Sequence, residues 1–314
     1  MTPKQIKKHF DKICIGQEKA KKALSIATYQ HCLRKEGFSP DHSQRSNVLL
    51  CGPSGSGKTL LAESMAEVLK VPFVRIDATK LSRTGYIGGD LMSYFADLEM
   101  KPDGEYAVIF IDEFDKIKKA KGGDRLDVTG EGLQAELLKL IEGSEISVSV
   151  TRKKSDELVE IDTCNMLFIL AGAFVGLKDN NPTTTNLVDF GMIPEIVGRI
   201  PIRTKLEELS FNDLKKILNK TPLIQSYQDW LKMEGVRLVF SIEAIEEIAK
   251  QAIENKTGAR GLKAVLEEVL QEAMFLAPSL KGYHRLKITN NNIQGGQIEF
   301  VKTRKRKKPK QKVA

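Results

Sequence analysis

Short apolar runs separated by polar, amphipathic stretches dominate the first two thirds of the chain. Between residues 46 and 201 the runs "NVLLCG", "PFVRID", "AVIFIDE" and "NMLFILAG" recur with helix-length spacers. Continuous apolar runs of this length read as strands covered on both faces, and the amphipathic spacers as crossover helices. The pattern therefore predicts an α/β domain with a parallel sheet and flanking helices. After "GRIP" at 198–201 the β-rich runs stop. Helical periodicity takes over in "FNDLKKILNKTPLIQSYQDWLKMEG", "SIEAIEEIAKQAIENK" and "ARGLKAVLEEVLQEAMFLAP", with short strands around "VRLVF", "RLKIT" and "QIEFV". The expected organisation is a large α/β domain at 1–203, a smaller, mostly helical domain at 204–300 and a disordered basic tail at 301–314.

Composition adds little to this picture except at the two ends. The 314 residues are 41% hydrophobic and 29% charged, ordinary for a globular protein with a sizeable core. The net charge of +8 is concentrated in "KTRKRKKPKQKVA", which holds eight Lys or Arg and no acid. A basic tail of this kind is either a solubilising end or an arm for acidic partners, and nucleic acid is the candidate partner it suggests. The start, "MTPKQIKKHFDKICIG", has no apolar core of the length a secretory signal needs, and no 18-residue apolar span occurs. No membrane association and a cytoplasmic location are the expectations. Cys14, Cys32, Cys51 and Cys164 are widely spaced without a C-x-x-C pair, which favours buried thiols over a zinc site.

The chemistry is announced by "GPSGSGKT" at 52–59, a G-x-x-x-x-G-K-[ST] loop between an apolar strand and a helical segment. In such a loop the backbone of Gly52, Pro53, Ser54, Gly55, Ser56 and Gly57 turns N–H groups toward phosphate oxygens. The helix opening at Lys58, Thr59 and Leu60 adds its positive end. Lys58 reaches the terminal phosphates of ATP and the Thr59 hydroxyl ligates Mg2+. The second strand, "AVIFIDEFD", ends in adjacent carboxylates: Asp112 to hold magnesium, Glu113 to activate the attacking water. Further cations are needed, and Arg199 and Arg260 are candidates, each also readable as an ordinary surface arginine. A last feature, "SRTGYIGGD" at 82–90, sets Tyr86 and Ile87 between glycines, either tucked into a core or presented to a partner.

Taken in order, "IGQ" at 15–17, "GPSGSGKT", "GYIG" at 85–88, "FIDEFDKI" at 110–117, "GEGLQAELLKLIEG" at 130–143, "GMIPEIVGRIP" at 191–201 and "KTGARGL" at 256–262 resemble the ClpX-like AAA+ unfoldases over 15–289. The resemblance implies a ring homohexamer that hydrolyses ATP to thread unfolded or tagged proteins through a central pore. It assigns Ile15, Gly16 and Gln17 to the adenine pocket, Arg199 to an arginine finger acting on the neighbouring subunit's nucleotide, and Arg260 to sensing nucleotide state. It makes Tyr86 and Ile87 the pore loop that grips substrate, and Arg152, Lys153 and Lys154 a second, basic pore loop. Three departures temper it. The zinc domain that precedes the ATPase in that family is not found before Ile15, and the 175–191 interval is short and polar where the family carries its peptidase-docking loop. Partnership with a ClpP-type peptidase is therefore not expected in the usual manner. Gly89 replaces an acidic residue after the pore motif, and "LFILAGAF" offers no polar sensor side chain. The competing readings are an AAA+ ATPase acting on nucleic-acid complexes through the tail, a ClpP-partnered subunit despite the short loop, and a nucleotide-holding module without turnover.

Overall fold

The structure, a computed structural model, describes residues 1–38, 45–81, 94–98, 101–119, 130–152, 155–178, 181–255 and 257–303. The chain divides into two compact units, Met1–Glu208 and Leu209–Ala314.

In the first unit, five parallel strands line up in the order β2-β3-β6-β1-β7. They are β1 Val48–Cys51, β2 Phe73–Asp77, β3 Val108–Asp112, β6 Leu167–Gly172 and β7 Ile202–Lys205. Period-2 alternation sorts each central strand between two apolar layers. Leu49, Cys51, Ile109, Ile111, Phe168 and Leu170 face one layer, where the helix Gly130–Glu142 contributes Leu133, Leu137 and Ile141. Val48, Leu50, Val108, Phe110, Ile169 and Ala171 face the other, packed by Ile6 and Phe10 of Pro3–Ile13, Leu24 of Glu18–Lys35, and Leu61 and Met65 of Lys58–Leu69. Both faces are covered, which is why these strands read as unbroken apolar runs. A two-stranded antiparallel ribbon, β4 Glu145–Arg152 with β5 Ser155–Asp162, stands apart from this sheet. Its polar alternation, "EISVSV", hid it among the spacers. Ile146, Val148, Val150 and Ile161 join the first apolar layer.

The second unit has its own core, with four helices, Phe211–Lys220, Pro222–Met233, Ile242–Glu254 and Ala259–Leu276, beside a three-stranded sheet. In that sheet β9 Tyr283–Ile288 lies between β8 Val236–Phe240, its parallel neighbour, and β10 Phe300–Thr303, its antiparallel one. The periodic stretch beginning "FNDLKKIL" is two helices rather than one. Ser210 and Asp213 form a capping box at the start of the first, and Pro222, with no N–H to give, opens the second. Among the described residues, no helix is long and apolar enough to cross a membrane.

Candidate functional site

The glycine-rich loop leaves β1 at Cys51, where the Gly52 N–H donates to the Gly172 carbonyl at 3.1 Å and the Leu206 N–H to the Cys51 carbonyl at 2.7 Å. Gly52 has φ +151°, and a Cβ there would stand 2.6 Å from the Leu206 carbonyl oxygen. Only glycine lets the loop pass between β6 and the chain after β7. Gly55 and Gly57 continue the turn with φ of 74° and 104°, and the Ser56 hydroxyl ties it by donating to the Pro53 carbonyl at 2.8 Å. The helix Lys58–Leu69 then starts from Gly57 with no side-chain cap. The open end of the helix and its dipole make an anion site. Lys58 Nζ donates to the carbonyls of Gly52 at 2.7 Å and Pro53 at 2.9 Å, folded back over the loop.

Ile15, Gly16 and Gln17 form the bend between the first two helices, where Gly16 and Gln17 both adopt left-handed φ values, 71° and 59°. The Gln17 amide joins two distant segments. Its Nε2 donates to the Ser56 carbonyl at 3.3 Å and the Glu207 carbonyl at 2.8 Å, and its Oε1 accepts the Glu207 N–H at 2.9 Å. The bend is thereby fastened to the phosphate loop. Beneath it lies an ion cluster: Lys21, almost wholly buried, contacts Asp11 at 2.5 Å and Glu18 at 2.7 Å, and Lys7 reaches both acids. Burial opposes the charge on Lys21, but its hydrogen bonds to Asp11 and Glu18 overcome it and hold the ammonium above its ordinary range. Glu18 is held low by the hydrogen bonds of Lys21 and Lys7. At Asp11 burial pushes the carboxyl up, and the same two lysines more than offset it. Burial raises the Cys14 thiol beside the loop to about 11 and the Cys51 thiol to about 12, so neither is a nucleophile near neutral pH.

Asp112 ends β3, opposite Asp77 in register. Its Oδ1 accepts the Glu113 N–H at 3.0 Å and its Oδ2 pairs with Arg75 Nη2 at 2.7 Å. Glu113 has a left-handed backbone, φ 55°, and an exposed side chain, so the chain turns sharply between the two carboxylates. Asp115, buried, accepts from the Ala173 and Phe174 N–H groups at 3.2 and 3.3 Å, which locks the end of β6 to this turn. Magnesium suits the donors available: a threonine hydroxyl and a carboxylate are hard oxygen ligands, and this ion keeps several waters and needs few protein groups.

Arg199 follows the short helix Pro194–Gly198 and pairs with Glu142, Nε at 2.8 Å and Nη2 at 2.7 Å. Its backbone carbonyl accepts from Asn47 at 3.1 Å, and the same asparagine accepts the Phe168 N–H at 3.2 Å. Gln134, fully buried in Gly130–Glu142, connects the carboxylate turn to this segment. It donates to the carbonyls of Ile117 at 2.9 Å and Gly191 at 3.1 Å and accepts the Ile193 N–H at 2.9 Å. Arg260 is the second residue of Ala259–Leu276, in the second unit. Tyr86, Ile87 and Gly89 lie outside the described residues, as do Lys153, Lys154 and residues 304–314. Arg152 ends β4 opposite Ser155.

The structure thus brings Ile15–Gln17 to the phosphate loop. It also adds Arg75, Asp115, Gln134, Glu142 and Asn47, which no sequence motif had singled out individually. Arg75 carried one faint signal: a cation inside an otherwise apolar strand.

Comparison with known proteins gives two domain matches. Residues 43–203 match the family profile of the AAA domain (Cdc48 subfamily), and residues 209–288 that of the C-terminal, D2-small domain of ClpB protein. The chain is 40% identical to the ATP-dependent Clp protease ATP-binding subunit ClpX of Treponema denticola, over 93% of this chain and 81% of that protein. It is 39% identical to the ClpX subunit of Borrelia duttonii, over 95% of this chain and 80% of that protein. It is also 39% identical to ClpX 2 of Wolinella succinogenes, over 95% and 83%.

Proposed function

Because this chain belongs to the ClpX family of AAA+ ATPases and is an ATP-dependent Clp-type ATPase subunit, we propose that it works as a ring homohexamer that unfolds proteins by drawing them through a central pore. Similarity to ClpX subunits across nearly the whole chain carries the reading, and the geometry of the phosphate loop supports it.

In the proposed cycle, the N–H groups of the loop and of the Lys58–Leu69 helix take the phosphates of ATP, and the bend at Ile15–Gln17 lies against the adenine. Lys58 exchanges the Gly52 and Pro53 carbonyls for the terminal phosphates. Thr59 and Asp112 would hold magnesium, which when bound neutralises charge between the β- and γ-phosphates. Glu113 orients the attacking water and takes its proton. Arg199 serves the neighbouring subunit's nucleotide, so it has to exchange Glu142 for a phosphate when the ring closes. Hydrolysis then depends on assembly. Arg260 relates nucleotide state to the 204–300 domain. Tyr86 and Ile87 grip the substrate chain, and Arg152, Lys153 and Lys154 attract it. Residues 1–203 carry the ATPase in this scheme.

An unfolding assay tests the reading: loss of fluorescence from a tail-tagged fluorescent protein, with ATP, by the purified protein. The expected result is ATP-dependent unfolding that Glu113→Gln abolishes and Tyr86→Ala slows at least tenfold. A protein that turns over ATP but unfolds no tagged substrate, with Tyr86→Ala indistinguishable from wild type, refutes it. Running the assay with a ClpP-type peptidase settles whether the short 175–191 interval supports docking, which we expect it does not.

A further inference from the structure

Arg75 is the one charged residue inside β2, a strand whose other side chains before Asp77 are apolar. Its place two positions before Asp77, with Asp77 opposite Asp112 in register, sets it on the diagonal from Asp112 across the β2–β3 pair. The contact it makes there, 2.7 Å from Nη2 to Oδ2, occupies one carboxylate oxygen, while the Glu113 N–H occupies the other at 3.0 Å. The Asp112 side chain is only 14% exposed and that of Arg75 is 51% exposed. The carboxylate is therefore the fixed member of the pair and the guanidinium the member able to swing into solvent.

We propose that Arg75 is a positioning residue whose contact with Asp112 must be displaced before magnesium–nucleotide binds, so that it raises the magnesium concentration the site requires. The inference rests on the reading of Asp112 as the magnesium-side carboxylate. Two cations on one partly buried carboxylate oxygen repel each other, and the repulsion is stronger where one is divalent and water is partly excluded. Lys58 is held in a parallel way, on the carbonyls of its own loop. Both Lys58 and Arg75 are thus engaged by the protein's own oxygens.

The test is binding of a fluorescent ATP analogue to the whole chain, read by anisotropy over a series of free magnesium concentrations, for wild type, Arg75→Met, Arg75→Lys and Asp112→Asn. Arg75→Met lowers the half-saturating magnesium concentration by roughly three- to tenfold, the scale of a partly exposed ion pair, and leaves nucleotide binding in EDTA unchanged. Arg75→Lys, which keeps the charge but not the planar fork, falls between the two. An unchanged or raised magnesium requirement in Arg75→Met, while Asp112→Asn raises it, overturns the proposal alone. A magnesium dependence in Asp112→Asn equal to that of wild type overturns the reading of Asp112 on which it rests. Far-ultraviolet circular dichroism of each variant matching wild type excludes misfolding as the cause of any shift.

Discussion

Replacing Gln134 with leucine removes three hydrogen bonds at nearly constant volume and without opening the surface, since Gln134 is fully buried. Its partners are all backbone: the carbonyls of Ile117 and Gly191 and the N–H of Ile193. The Gly191 carbonyl keeps a second donor, the Lys119 N–H at 2.9 Å. Two groups therefore lose the glutamine bond, Ile117 O and Ile193 N. A buried polar group left unpaired costs about 1–3 kcal/mol, and the added apolar burial of leucine returns about 1 kcal/mol, so the net cost is about 3 kcal/mol. This is too small to unfold a two-unit chain outright but large enough to free the 191–199 segment locally. Hydrogen exchange of the Ile193 amide reads it directly: protection drops by roughly a hundredfold, the equivalent of that free energy. Because the same segment carries Arg199, ATP turnover falls as well, while nucleotide affinity of the isolated subunit stays close to wild type. Ile193 protection within about threefold of wild type would refute the reasoning that Gln134 is the clamp between the two segments.

Gly52→Ala forces a Cβ to within 2.6 Å of the Leu206 carbonyl at a backbone angle unfavourable to alanine, and the expected loss is about 2–4 kcal/mol from strain and displacement. Equilibrium denaturation followed by circular dichroism checks it, and nucleotide binding weakens at least tenfold. Lys21→Met tests the ion cluster. The Glu18 and Asp11 carboxyls titrate below their ordinary 4.5 and 3.8 in the folded chain, so their contribution is present above those values and is lost as pH falls through the lowered ones. Lys21 titrates above its ordinary 10.5, so its share is present below that value and lost as pH rises through the raised one. The variant is less stable at pH 7, and its thermal midpoint varies less than wild type's both below pH 4.5 and above pH 10.5, as melting curves across pH will record.

The sheet was legible because burial on both faces leaves a strand no polar positions, and "NVLLC", "AVIFID" and "LFILAG" each match a central strand. The phosphate loop was legible because its glycines answer a local demand of the backbone. Gln17 drew notice only as part of a family motif, and its physical role, a hydrogen bond to Glu207 across a separation of 190 residues, is one that no local pattern reports. Arg75, Gln134 and Glu142 escaped for the same reason: their partners are set by packing of distant segments. The β4–β5 ribbon escaped because alternating Ser and Val give the period of a half-exposed strand, a weaker signal than an apolar run.

That ribbon has a use of its own for protein engineering. Eight paired rungs, from Glu145 opposite Asp162 to Arg152 opposite Ser155, make it an adjustable boom whose inner side chains, Ile146, Val148 and Val150, are anchored in the main core, while among the described residues its strands pair only with each other. Inserting two residues in each strand keeps Val148 and Val150 facing inward and carries the tip outward by roughly 7 Å. Inserting one turns every side chain beyond it to the opposite face. The end of the ribbon can therefore be extended or recoded in even steps while the five-stranded sheet and the glycine loop beside β1 stay as they are.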